Sequence, residues 1–179
     1  MLRWLVCIGA MLAAAPAVAA DVTALETLEV GLFHARTTGH YPSPQAVNER
    51  TNILANVDFY KLTTKVPARQ GIRFGTRFRI VGAPANGSAN LRAVWRIPEP
   101  GIQDPVSGTH YRQSISDATV AIGTITMRGY TFDALWEIRC GDWIQEIWVG
   151  ARKLLSQTFT VEDCQGVPTV SRAAAAPAG

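Results

Sequence analysis

Residues 72–81, IRFGTRFRIV, sort their side chains by strict alternation. Ile72, Phe74, Phe78 and Ile80 fall on one side with Thr76 among them, and Arg73, Arg77 and Arg79 fall on the other. A helix would spread these residues around its circumference, whereas a strand separates them at period two. Residues 91–97, LRAVWRI, repeat the pattern, with Leu91, Ala93, Trp95 and Ile97 opposite Arg92 and Arg96. A strand with one apolar face must bury that face against another layer, which restricts the chain to packed or closed sheets.

The remaining segments agree. Residues 27–35 place Leu28, Val30 and Leu32 on one face, and residues 51–66 have strand character in their second half. Residues 118–128 read as a strand, followed by 130–139. Pro42 and Pro44 break residues 39–50 into a loop, and Ser43-Pro44 suits the start of a short helical turn. Residues 82–90, GAPANGSAN, are a turn, and the three prolines of residues 98–109 exclude a central strand. About seven or eight short strands with Pro/Gly turns describe an all-β, immunoglobulin-like antiparallel β-sandwich, with a small β-barrel as the alternative. Hydrophobic residues at 47% and charged residues at 17% exclude intrinsic disorder, and 179 residues suit one domain.

Residues 1–20, MLRWLVCIGAMLAAAPAVAA, read as a signal peptide: Arg3, an apolar run over residues 5–15, and Ala17-Val18-Ala19 or Val18-Ala19-Ala20 at the cleavage point. The run is short for a membrane span, and no later segment is apolar enough for stable insertion. The Ala-rich leader points to a bacterial periplasm, a mature domain over residues 21–165 and a flexible tail over 166–179. Loss of Arg3 takes the formal net charge from +3 to +2. A balanced charge in that compartment argues against nucleic acid.

Cys7 leaves with the leader, so Cys140 and Cys164 remain. An even count in an oxidising compartment favours a disulfide. The segments 143–149 and 154–162 flank Gly150-Ala151-Arg152-Lys153 and read as a hairpin. A register that pairs Val149 with Leu155, Ile147 with Gln157, Gln145 with Phe159 and Trp143 with Val161 also sets Cys140 opposite Cys164. A register shifted by one residue stays open. Half a zinc site would need a nearby histidine, and His34, His40 and His110 are all remote in sequence.

Four stretches then resemble one bacterial family, domain of unknown function DUF3859. They are Val66-Pro67-Ala68-Arg69-Gln70-Gly71-Ile72-Arg73-Phe74-Gly75, PEPGIQDP from Pro98, GYTFDALWE from Gly129, and residues 141–161. The resemblance spans about residues 27–163. It implies a secreted all-β domain, and since the family carries no assigned activity it transfers no catalytic residue. Cys140 stands where the family pattern has proline.

The chain has no G-x-S-x-G elbow, P-loop, dinucleotide fingerprint or H-E-x-x-H, and His34-x5-His40 is not a metal spacing, so no cofactor or metal is expected. Asp133 and Glu137 on one strand would stand about 13 Å apart, beyond either glycosidase geometry. They read as a turn aspartate and a solvated or capping glutamate, with a structural acceptor as the alternative for Glu137. Trp95, Trp136 and Trp143 read as core, and Trp148 points away from the apolar hairpin face. Pairing of the two arginine strands through the 82–90 turn would merge Arg73, Arg77, Arg79, Arg92 and Arg96 into one basic strip. With Trp148 it forms the candidate surface of a non-catalytic periplasmic binding module. Its partner would be an envelope protein, an anionic polymer or a lipid headgroup. Two alternatives use the loops: a hydrolase in the 98–117 region around His110, Ser114 and Asp117, and an inhibitor of an envelope enzyme presenting residues 98–112.

Overall fold

The computed structural model describes residues 20–165; the expected cleavage region before Ala20 and the expected tail 166–179 lie outside them. Strand β1 (Asp21–Pro42) is followed by a 3-10 turn (Val47–Glu49), β2 (Arg50–Leu62), β3 (Lys65–Pro67), β4 (Arg73–Ala83) and β5 (Ser88–Arg96). Then come β6 (Ile102–Gln103), β7 (His110–Tyr111), β8 (Gln113–Ala121), β9 (Ile125–Thr131), a second 3-10 turn (Leu135–Glu137), β10 (Gly141–Val149) and β11 (Arg152–Glu162). Sheet A runs β2-β1-β4-β9 and sheet B runs β3-β11-β10-β5-β8, with β6 and β7 forming a separate ribbon. Only the β3–β11 pair is parallel among the described strands. The two open sheets face each other as a sandwich and do not close into a barrel. The sandwich holds nine strands rather than seven or eight.

The alternation in β4 and β5 does what the sequence implies for each strand but not for the pair. β4 pairs with β1 and β9, whereas β5 pairs with β10 and β8. The chain crosses from one sheet to the other between them, so their apolar faces oppose across the core instead of lying side by side. Phe74 meets rings from both sheets at centroid distances of 5.2–6.2 Å: Trp95, Tyr130, Phe132, Trp143 and Phe159. A second apolar cluster gathers Val22, Phe78, Ile80, Leu91, Ile122 and Ile147. Between the clusters Thr76 Oγ1 and Gln145 Oε1 lie 2.7 Å apart, and Gln145 Nε2 donates to the Arg128 carbonyl at 2.7 Å, so the fully buried amide is satisfied.

Several boundaries move. The segment expected as one strand over 118–128 divides at Ile122–Thr124, where Gly123 at φ 91° makes the turn. Residues 130–139 leave the strand after Thr131 and coil into the second 3-10 turn, which puts Trp136 half-buried over Tyr111 rather than in a strand. The β10–β11 hairpin forms two residues away from the expected register, pairing Ile147 with Leu155, Gln145 with Gln157 and Trp143 with Phe159. A slip of two preserves which face is buried. A bulge after Ile147 then leaves Gly150-Ala151 as a two-residue turn. Cys140 and Cys164 are nevertheless bonded, with Cα atoms 6.3 Å apart. Asp163, at φ 63°, turns the chain toward Cys140.

β1 is long because it pairs with two strands in succession. Its first half pairs with β4 as far as Leu32, and its second half continues only with β2. Gly31, Gly75 and Gly129 face one another across β1, β4 and β9. A Cβ at Gly129 would stand 2.7 Å from the Phe33 ring, so the bare backbone leaves room for Phe33 to cross. Arg73 Nη1 donates to the Ala35 carbonyl at 3.0 Å and Arg77 Nη2 to the Val57 carbonyl at 2.8 Å, tying the hairpin down. Its tip then reaches sheet B: the Val47 N–H donates to Ser114 Oγ at 3.0 Å and the Ile115 N–H to the Gln45 carbonyl at 3.0 Å. The β1–β2 hairpin is thus a strap across the flank between β9 and β8.

Two stability changes follow. Phe74→Ala removes the ring shared by both sheets and lowers unfolding free energy by about 3–5 kcal/mol in urea denaturation. Cys140→Ser with Cys164→Ser opens the loop closed by the bridge and lowers it by about 3 kcal/mol.

Candidate functional site

Crossing between sheets dissolves the expected arginine strip. Arg73, Arg77 and Arg79 lie on sheet A, and Arg92 and Arg96 on sheet B, on opposite outer faces of the sandwich. Acids meet four of the five: Glu29 pairs with Arg77, Glu26 with Arg79 at 2.8 Å, Asp117 with Arg92 at 2.8 Å and Glu146 with Arg96 at 3.3 Å. Arg73 is taken up by Ala35 and Thr37 of the strap. Arg79 and Arg92 stand on different sheets, and each meets an acid from a neighbouring strand.

Trp148 is half-buried rather than free. Its Nε1 donates to Glu146 Oε2 at 3.1 Å, and the Lys153 ammonium sits 5.6 Å from the ring centroid. Burial alone would raise the Glu146 pKa, but hydrogen bonds from Lys153 and Trp148, with the charge of Arg96, hold it below the usual carboxylate range. This face of sheet B is therefore a closed electrostatic cluster.

The Ser–His–Asp grouping also separates. Ser114 and Asp117 are three apart on β8, so they point to opposite faces. Ser114 Oγ accepts the Val47 N–H, and Asp117 takes two hydrogen bonds from Arg92, at 2.8 and 3.0 Å, which lower its pKa. His110 stands exposed on the ribbon, opposite Gln103.

Asp133 and Glu137 are not on one strand. The 3-10 turn draws them together at one end of the sandwich. Glu137 is 2% exposed. Its carboxylate accepts from Asn48 Nδ2 at 2.9 Å and from the Tyr130 hydroxyl at 3.3 Å. Burial pushes its pKa up to about 7, and the nearby Asp133 charge adds to the rise against the hydrogen bonds that favour ionisation. Tyr130 is driven well above its ordinary value by burial and by Glu137. Glu137 is thus a structural acceptor, the alternative raised for it from the sequence, joining the strap tip to β9 and the 3-10 turn. Beside it lies an open recess of about 520 Å³ lined by Asn48, Arg50, Asp104, Tyr111 and Asp133.

The ribbon borders this recess and carries the most exposed large apolar side chain described. Val106 is 93% exposed at its tip. Asp104 holds that tip: its carboxylate accepts the Val106 N–H at 2.8 Å and the Ser107 hydroxyl at 2.7 Å. The Asp104 carbonyl accepts the Gly108 N–H at 2.9 Å, and its own N–H reaches the Thr109 carbonyl at 3.0 Å. Those bonds to Val106 and Ser107 lower the Asp104 pKa. A signal for this turn was present in the sequence as Asp-Pro-Val-Ser-Gly, an Asx-type start closed by glycine. Val106 itself carried none.

Residues 21–161 match the family model described as domain of unknown function DUF3859. The chain belongs to that family. A crystal structure of an immunoglobulin-like protein from Pseudomonas aeruginosa is similar to this DUF3859 domain. Its TM-score is 0.56 at 22% identity, covering 77% of this chain and 96% of that one. At that identity the likeness is one of fold. The alkylpurine DNA glycosylase AlkC of Pseudomonas fluorescens overlaps at a TM-score of 0.37 and 12% identity, over 74% of this chain and 30% of its own, too loosely to carry an argument. No curated protein matches the chain. Among the described residues no group of three or more His, Cys, Asp or Glu side chains is placed to hold a metal, and no helix is long and apolar enough to cross a membrane.

Glu137 makes stability depend on pH in a definite direction. Unfolded, it ionises near 4.5; folded, near 7. Between those values the folded chain keeps a proton that the unfolded chain has released. Its contribution is therefore full below about 4.5 and is lost as pH rises through about 7, by roughly 3 kcal/mol in all. Glu137→Gln keeps an acceptor for Asn48 and cannot ionise. Urea midpoints of the two proteins, compared from pH 5 to pH 8, diverge in favour of the variant as pH rises. A constant difference would show that Glu137 ionises normally in the folded chain.

Proposed function

We propose that this DUF3859 domain is an exported, non-catalytic interaction module of the bacterial envelope that engages a partner protein through the tip of its β6–β7 ribbon. The observation that carries the reading is Val106, an apolar side chain left exposed on a turn that Asp104 has already made rigid. A preformed loop loses little conformational entropy on binding, so its contacts count more fully toward affinity. Leu135, 49% exposed on the adjacent 3-10 turn, extends the apolar contact. Tyr111, stacked over Trp136 at 6.4 Å, supports the ribbon from behind.

The leader-like residues 1–20 support export, and the Cys140–Cys164 bridge suits an oxidising compartment. The outer-face arginines are a weaker choice of surface, because a ligand would have to displace the acids they already hold. A hydrolase built on His110, Ser114 and Asp117 would need those side chains to converge, and β8 points two of them apart. The inhibitor reading is a special case of the present one, in which the partner is an envelope enzyme and residues 98–112 enter its cleft.

A photo-crosslinking residue at position 106 of the full-length chain, expressed with its own leader, tests the proposal. One dominant crosslinked partner is expected, identified by mass spectrometry and then purified. Val106→Asp weakens the reconstituted complex by roughly thirtyfold, the effect of losing a central contact, and His110→Ala leaves it unchanged. A complex indifferent to Val106→Asp would remove the ribbon tip from consideration.

A further inference from the structure

The strap encloses a cavity that the ribbon-tip reading does not use. It occupies about 310 Å³ in the flank between β9 and β8, at the lower end of the range of small-molecule sites. Ile53, Leu54 and Val57 of β2 form its roof, and Ala93 and Trp95 supply apolar wall. Tyr41, Ser116 and Arg128 also line it. Ile53, 47% exposed, marks a side open to solvent.

Arg128 differs from the arginines on the outer faces. It stands opposite Thr76, whose side chain is buried between the sheets, so it shares the inward face of β9. Among the described residues no carboxylate lies within 4.0 Å of its guanidinium, whereas Arg77, Arg79, Arg92 and Arg96 each have one. Its Nη1 donates to the neighbouring Met127 carbonyl at 2.8 Å. A guanidinium has five N–H donors, and most of these are therefore free for a ligand. Burial lowers its pKa, opposed by the nearby Tyr41 hydroxyl. An apolar side chain of similar length would avoid the cost of desolvating a charge here. A retained, half-buried cation without an acid beside an apolar cavity is an arrangement that an anionic head completes.

We infer that the cavity beneath the β1–β2 strap binds a small amphipathic anion, with its carboxylate or phosphate head on Arg128 and its apolar body along Leu54, Ala93 and Trp95. Arginine holds either head in a two-point fork. Its size suits a short chain rather than a polymer. The site is separate from the ribbon tip, so it stands whether or not Val106 meets a partner.

Sodium octanoate and octyl phosphate are the probes, and octanamide is the uncharged control. Titration of the full chain, followed by calorimetry and by tryptophan fluorescence, is expected to show saturable binding of at least one anion. The comparison between the two anions distinguishes a carboxylate site from a phosphate site. Arg128→Met lowers that affinity by roughly tenfold or more, and Arg128→Lys, which keeps charge but loses the fork, falls between. Octanamide does not distinguish wild type from Arg128→Met. Ala118→Leu, which narrows the cavity without touching the guanidinium, also weakens binding. Arg128→Met folds with an unchanged or raised melting temperature, since no acid is left without its partner. No saturable signal from either anion at millimolar concentration would overturn the inference. So would equal affinity of wild type and Arg128→Met, or an affinity untouched by Ala118→Leu.

Discussion

Phe74 is the contact through which the two sheets know each other. Its ring lies within about 6 Å of aromatic rings on β5, β9, β10 and β11, all of them tilted or edge-on. Because those strands belong to different sheets, the cluster fixes sheet separation and strand register at one end of the core. At the middle, Thr76 and Gln145 place a single satisfied polar link where a slip of either strand would strand a buried amide. The aromatic end supplies most of the cohesion, and the polar link makes one alignment preferable to its neighbours.

The strap, its cavity and the buried Glu137 all depend on what that core allows to be draped over it. Gly31, Gly75 and Gly129 leave a bare lane across sheet A, and the second half of β1 departs from the sheet beside it. Phe33 lies against the bare backbone of Gly129. The strap then reaches β8, covers part of an edge that would otherwise offer unpaired backbone groups, and encloses the Arg128 cavity. Its tip delivers Asn48 to Glu137. Asn48 and Glu49 both have positive φ, at 60° and 52°, a conformation that costs energy for residues with a Cβ. The hydrogen bond from Asn48 to the buried carboxylate offsets part of that cost.

The charges divide into two populations. Those on the outer faces are paired across strands, and where both partners are exposed, as for Arg79–Glu26 and Arg92–Asp117, the pair contributes little to stability but neutralises the surface. Those at the flank and the ribbon end are buried or locked: Arg128 without an acid, Glu137 shifted toward neutrality, Asp104 committed to a turn. Within that second population Glu137 accepts from Asn48 and Tyr130 and Asp104 from Val106 and Ser107, so only Arg128 keeps donors that the described side chains do not take up.

Much of the fold was legible in the residues. The alternation in β4, β5, β10 and β11, the Pro/Gly turns and the two cysteines were enough for an antiparallel sandwich with one bridge, since period two and the need to bury one face are local properties. The register of β10 with β11 was legible only to within two residues, because a slip of two leaves the same faces buried. The arginine strip shows where local reasoning ended. An apolar face on β4 and another on β5 fit a hairpin and a crossing between sheets equally well. Only the competition among all strands for partners decides between them.

The sites followed the same division. Asp104 in its turn could be read from Asp-Pro-Val-Ser-Gly. Glu137 could be named as a structural acceptor, but neither its Asn48 partner, 89 positions away, nor the missing counter-charge of Arg128 has a local signal. By itself the sequence determined the class of fold, the faces that are buried and the chemistry available. The tertiary structure alone decided which charges meet an acid and which are left facing a cavity, because charge pairing depends on distances between strands that no local pattern encodes.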